Sequence, residues 1–128
     1  MMEITLLYAS LLTILAIFLA IKVGMNRVET KTMTVRGESS KLLQSIRAHG
    51  NVIEYAPLAL ILLALLEMQN LSDSMLHLCG SLFFLARISH AYGVTISRES
   101  TPYRLVGAVG TWLIMLIMSL MGIYIHVS

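Results

Sequence analysis

Arg47, Asn51 and Glu54 stand at i, i+4 and i+7, a spacing that places all three on one face of a helix. Their setting makes them informative. The uncharged run that follows, Tyr55 to Leu66, is only 12 residues, or about 18 Å of helix. A bilayer core needs about 20 helical residues. A span here must therefore reach back through Glu54 and Asn51 as far as Arg47. A mid-membrane charge costs about 2.5 to 3.5 kcal/mol even on lenient insertion scales, so such residues face protein or a wet cavity.

A second set of polar residues answers the first. Ser74 to Ala86 is also too short to cross, so the next span carries Arg87 and His90 with it. Glu54 is 13 residues from Glu67, and Arg87 is 13 residues from Ser74, so both lie about 20 Å from the outer surface. Equal depth predicts a Glu54–Arg87 ion pair between antiparallel neighbours. The pair reads equally as a structural tie or as part of a ligand site. His49, Tyr55 and Arg104 are close by in the predicted arrangement, giving a cationic, hydrogen-bonding cavity suited to a small anionic ligand. No third or fourth ligand stands at a spacing that would let His49 and His90 hold a metal, so no metal is expected. Pro57 removes one backbone hydrogen bond and predicts a kink beside Glu54.

The elements that position these residues follow from composition. Of 128 residues, 57% are hydrophobic and 12% charged, against about 25% charged in soluble domains. Too little polar surface remains to coat a water-soluble globule. The expectation is one all-α domain over 1–128, an integral membrane four-helix bundle with spans near 4–23, 47–66, 74–94 and 104–125. The first span lacks a basic leader and a small-residue cleavage signal, so it reads as a retained helix and not a signal peptide. Ser100 or Thr101 is suited to cap the last span, with Pro102 in its first turn. The 26–44 segment reads as the one sizeable loop.

Charge sets the orientation. Lys22, Arg27, Lys31, Arg36, Lys41 and Arg47 surround the first connection, and Arg87, Arg98 and Arg104 the third. The 67–74 connection has acids but neither Lys nor Arg. The positive-inside rule then puts both basic connections in the cytoplasm and both termini on the non-cytoplasmic side. The basic residues form no dense patch, which speaks against nucleic-acid partners. Cys79 is the single cysteine and excludes an internal disulfide.

The stretch Arg47-Ala48-His49-Gly50-Asn51-Val52-Ile53-Glu54-Tyr55-Ala56-Pro57 resembles the second-helix signature of the MAPEG family, membrane-associated proteins in eicosanoid and glutathione metabolism. Ala86-Arg87-Ile88-Ser89-His90 is similar to its third-helix motif, and Thr101-Pro102-Tyr103-Arg104 to the entry of its fourth helix. The resemblance spans nearly the whole chain and looks closest to small bacterial members, which places it in an inner membrane. It implies a homotrimer binding glutathione as cosubstrate between subunits near the cytoplasmic face. Arg47, Asn51, Glu54, Tyr55 and His90 would be the glutathione ligands. Arg104 would be the catalytic arginine that holds the thiolate ready to attack a small lipophilic substrate from the bilayer. A fixed cation favours the thiolate over the thiol. Catalytic members carry a tyrosine seven residues after the third-helix arginine, where this chain has Val94, and some carry a basic residue where it has Gly50.

Three function classes follow. The first is a glutathione transferase or peroxidase acting on lipophilic electrophiles. The second is a membrane structural or binding protein without the chemistry. The third is a small four-helix transporter, against which the arginine-rich surroundings of Glu54 argue.

Overall fold

The computed structural model describes residues 2–30, 40–97 and 99–128 of the chain. They form four α-helices: α1 (Glu3–Thr30), α2 (Ser40–Met68), α3 (Asp73–Ile96) and α4 (Pro102–Val127). Three of them, α1, α2 and α4, are long and apolar enough to cross a membrane. Helix α3 is diluted by its buried polar residues Arg87 and His90.

Each helix keeps large apolar side chains on its outer surface, among them Phe18, Leu58, Leu85 and Leu116. In water such a surface would drive aggregation; in a bilayer it meets its own solvent. The buried side is a stripe of small and medium residues. On α2 it runs Ala48, Val52, Ala56, Ala59, Leu63 and Leu66, the three-and-four repeat of a helix face. Helix α3 packs most extensively on α4 and α1 on α2, with α2 and α3 also in contact, while the backbones of α1 and α4 stay apart among the described residues. The cross-section is therefore a rhombus with α2 and α3 on its short diagonal.

The end of α2 and the starts of α3 and α4 are built by local chemistry. Helix α2 stops in a Schellman motif: Leu71 N–H donates to the Leu66 carbonyl (3.3 Å) and Asn70 N–H to that of Glu67 (3.1 Å). Asn70 takes the left-handed conformation this motif needs, φ 60°. Ser72 then caps α3, accepting from Met75 N–H at 3.4 Å. Of the two residues suited to cap α4, Thr101 does so, accepting from Arg104 N–H at 3.2 Å, and Pro102 opens the first turn.

Helices α1 and α2 both exceed their expected spans, continuing to Thr30 and beginning at Ser40. Hydropathy marks where a chain leaves the bilayer, but nothing there obliges a helix to stop. Past the apolar region the two remain packed: Asn26 donates to the Lys41 carbonyl at 3.4 Å, and Lys41 meets Glu29 in an exposed ion pair at 2.9 Å. Residues 26–30 and 40–44 of the expected 26–44 loop are therefore helical. Its residues 31–39, with Lys31, Arg36, Gly37 and Ser39, lie outside the described residues, as does Arg98. Helix α2 runs through Pro57 without interruption.

One tertiary contact was not foreseen. The Glu67 carboxylate closes the start of α1, accepting from the N–H groups of Ile4 and Thr5, each at 2.8 Å, and from the Thr5 hydroxyl at 2.6 Å. These are orphan donors of a first helical turn, and the negative charge also suits the positive end of the helix dipole.

Candidate functional site

Close approach of α3 and α4 builds the centre of the site. A methyl group on Gly107 would lie 2.4 Å from His90 N and 2.6 Å from the Ala86 carbonyl; one on Gly93 would lie 2.4 Å from Arg104 N. Only glycine lets the two backbones come so near. The contact draws Arg104 and Thr111 of α4 onto Arg87 and His90 of α3.

Arg87 is 1% exposed, the largest of the fully buried side chains. Among the described residues its guanidinium has no acid beside it. Nε donates to Thr111 Oγ1 at 2.8 Å and Nη2 to the Gly107 carbonyl at 3.3 Å. Nη1 donates to the Asn51 side-chain oxygen and reaches the Asn51 backbone carbonyl at 3.5 Å. The Tyr55 ring lies against the guanidinium, 5.1 Å from its centroid, at cation–π range. Tyr55 in turn accepts a hydrogen bond from Trp112 Nε1 at 3.2 Å.

The expected Glu54–Arg87 ion pair does not form within the chain. Glu54 is exposed and makes no hydrogen bond or ion pair to another described residue. The reason is the rotation of α2 about its axis. Glu54 is two residues from both Val52 and Ala56, about 160° round the helix from the stripe that packs inward. Asn51 and Tyr55 sit at the margin of that stripe, half-buried, where Arg87 reaches them. Matching depths identified the right turn of helix but not the right face.

The remaining expected residues divide. Arg47 is exposed and shares the outer stripe with Asn51 and Glu54, which continues along α2 as Leu58, Ile61 and Leu65, all more than half exposed. His90 is buried, and its Nδ1 has no hydrogen-bond partner among the described residues. Arg104 is half-buried in the first turn of α4. His49 instead lines an apolar cleft of about 430 Å³ between α1 and α2, with Ala16, Ala20 and Pro57. It does not join the cluster. A Cβ on Gly50 would meet nothing.

Three contributors escaped the sequence reading: Thr111, Trp112 and the Gly107 carbonyl. Thr111 and Gly107 are four apart and so share a face, which with Arg87 in view is the signal that was available. Val94, at the position of the family's tyrosine, is 3% exposed in the core.

The family model described as the MAPEG family matches residues 5–124. The inner membrane protein YecN of Escherichia coli strain K12 is 31% identical over 118 residues, covering 92% of this chain and 88% of YecN. YecN of a second strain of Escherichia coli matches equally well.

Proposed function

Starting from the fact that this chain belongs to the MAPEG family, we propose that it is a membrane-embedded glutathione-binding protein that works as a glutathione transferase or peroxidase on lipophilic electrophiles. The observation carrying this reading is the outer stripe of α2. Arg47, Asn51 and Glu54 form a polar surface at membrane depth, and Glu54 has no partner of its own among the described residues. Lipid is a poor neighbour for such a surface. A second copy of the chain, with glutathione held between, supplies what it lacks.

Glutathione has two carboxylates, an ammonium and a thiol. Arg47 and the Asn51 amide suit a carboxylate, Glu54 suits the ammonium or an amide donor, and the free Nδ1 of buried His90 is a further hydrogen-bonding group. Arg104, in the capped first turn of α4, is the cation assigned to the thiolate. The thiolate attacks a substrate arriving from the bilayer, either at an electrophilic carbon, forming a thioether as the leaving group departs with its electron pair, or at a peroxide oxygen, breaking the O–O bond to give the sulfenic acid and an alcohol. The proposal includes a homotrimer, a bacterial inner membrane, and termini on the non-cytoplasmic side, so that the Arg47–Arg104 end faces the cytoplasm. A second reading, binding without chemistry, is favoured by Val94: its buried side chain offers no hydroxyl at the place of the family's tyrosine.

Calorimetry of glutathione on the detergent-solubilised protein tests the proposal. Binding is expected, weakened about ten-fold or more by Arg47→Ala, the value of one hydrogen bond between charged groups. Arg104→Ala should keep much of the affinity and lose the ultraviolet absorbance of the bound thiolate. Wild-type protein that binds nothing at millimolar glutathione would end the reading. Thiolate absorbance without turnover of any electrophile would select the second one.

A further inference from the structure

We infer that Arg87 is a positioning residue, gripping Asn51 and Tyr55 from α3 so that the two N–H donors of the Asn51 side chain are left for an anionic group of the ligand. The inference rests on the glutathione reading for its ligand, but its geometry is independent of it.

A guanidinium has only donors. Of the two ends of the Asn51 amide only the oxygen can accept from Arg87, and the structure has Nη1 on that oxygen. The amide nitrogen is thereby turned away from the buried cation, into the half-exposed stripe shared with Arg47 and Glu54. Without Arg87 nothing holds the amide oxygen inward, and the donors are no longer fixed where the anion needs them. The grip is itself anchored from α4: Thr111, 0% exposed, takes Nε at 2.8 Å, and the Gly107 carbonyl takes Nη2 at 3.3 Å. Its neighbour Trp112 donates to the Tyr55 hydroxyl at 3.2 Å, so two consecutive residues of α4 set two ligand residues of α2, one through Arg87 and one directly.

The choice of partners has a second consequence. Thr111, Asn51, a carbonyl and a ring satisfy the guanidinium without neutralising it. A carboxylate in their place would cancel the charge, whereas here it remains to act on an anion bound beside Asn51. This arrangement accounts for a buried arginine with no acid beside it among the described residues: the missing charge belongs to the ligand.

Thr111→Val tests the inference, because it removes the Nε anchor, conserves shape and lies out of reach of any ligand. The chain has three asparagines, Asn26, Asn51 and Asn70, so protein labelled with nitrogen-15 at asparagine shows three side-chain amide pairs without ligand. Thr111→Val and Arg87→Lys should both displace or broaden the Asn51 pair and leave the other two in place. Glutathione affinity should fall about ten-fold with each, the value of one hydrogen bond to a charged group. Asn51→Asp keeps an oxygen toward Arg87, so it should stay folded yet lose at least as much affinity. An Asn51 pair unmoved by both variants would overturn the inference, as would a moved pair with unchanged affinity. Should wild-type protein bind no glutathione, the ligand reading fails, and the amide resonances still decide whether Arg87 orients Asn51.

Discussion

Replacing Gly107 by alanine puts a methyl group 2.4 Å from His90 N and 2.6 Å from both the Ala86 carbonyl and His90 Cβ. Ordinary contact distances are about 3.5 to 4.0 Å, so α4 must retreat from α3 by about 1 Å. Backbone atoms supply the obstruction, and no side-chain rotation relieves it. The retreat lengthens the Arg87 bonds to the Gly107 carbonyl and to Thr111 beyond hydrogen-bond range, since they begin at 3.3 and 2.8 Å. Overpacking costs about 1 to 3 kcal/mol, and each lost bond to a buried charge about 1.5 to 3. Alanine's better helix propensity returns about 1 kcal/mol, and relaxation around the site recovers part of the rest. The net expectation is a loss of about 2 to 4 kcal/mol. Gly122→Ala is the internal control, because a Cβ there meets nothing within 4 Å. Reversible unfolding of both variants in detergent micelles, followed by circular dichroism, gives the comparison. A Gly107→Ala protein as stable as Gly122→Ala would refute the close-packed α3–α4 contact and the Arg87 geometry built on it.

Three further outcomes are expected. Glu67→Ala removes all three bonds at the start of α1 and should cost about 1 to 2 kcal/mol, the range of a helix cap, with faster hydrogen exchange at Ile4 and Thr5; unchanged exchange there would contradict it. Glu54→Gln and Arg87→Met, combined in a double-mutant cycle, should add to within about 0.5 kcal/mol, and a coupling well above that would restore the direct pair. A C-terminal reporter active only in the cytoplasm should stay silent, and a strong signal would reverse the proposed orientation.

Much of the site was readable one residue at a time. The i, i+4, i+7 spacing of Arg47, Asn51 and Glu54, and the short apolar runs beside them, place charge at membrane depth without reference to any neighbour. Thr101 and Pro102 announce the start of α4 in the same local way. The cap that Glu67 gives α1 was not readable, because Ile4 is 63 positions away and no periodicity links the two. His49 misled for a related reason: adjacency to a polar face says nothing of which neighbour a side chain turns toward, and it lines the α1–α2 cleft.

What the sequence by itself determined is the set of helices, their order and which helical turns carry polar residues. Hydropathy and the helical repeat are properties of a segment alone, and a bilayer leaves backbone little choice but helix. What only the tertiary structure decided is the partner of each buried charge. That depends on how far each helix turns about its own axis. On α2 the turn is set by packing the stripe from Ala48 to Leu66 inward, and on α3 and α4 by the glycines that let their backbones touch. A rotation of α2 by about a sixth of a turn would bring Glu54 round in place of Asn51 toward Arg87 without altering the span of the helix. Depth is written along one chain segment, but facing is settled between helices.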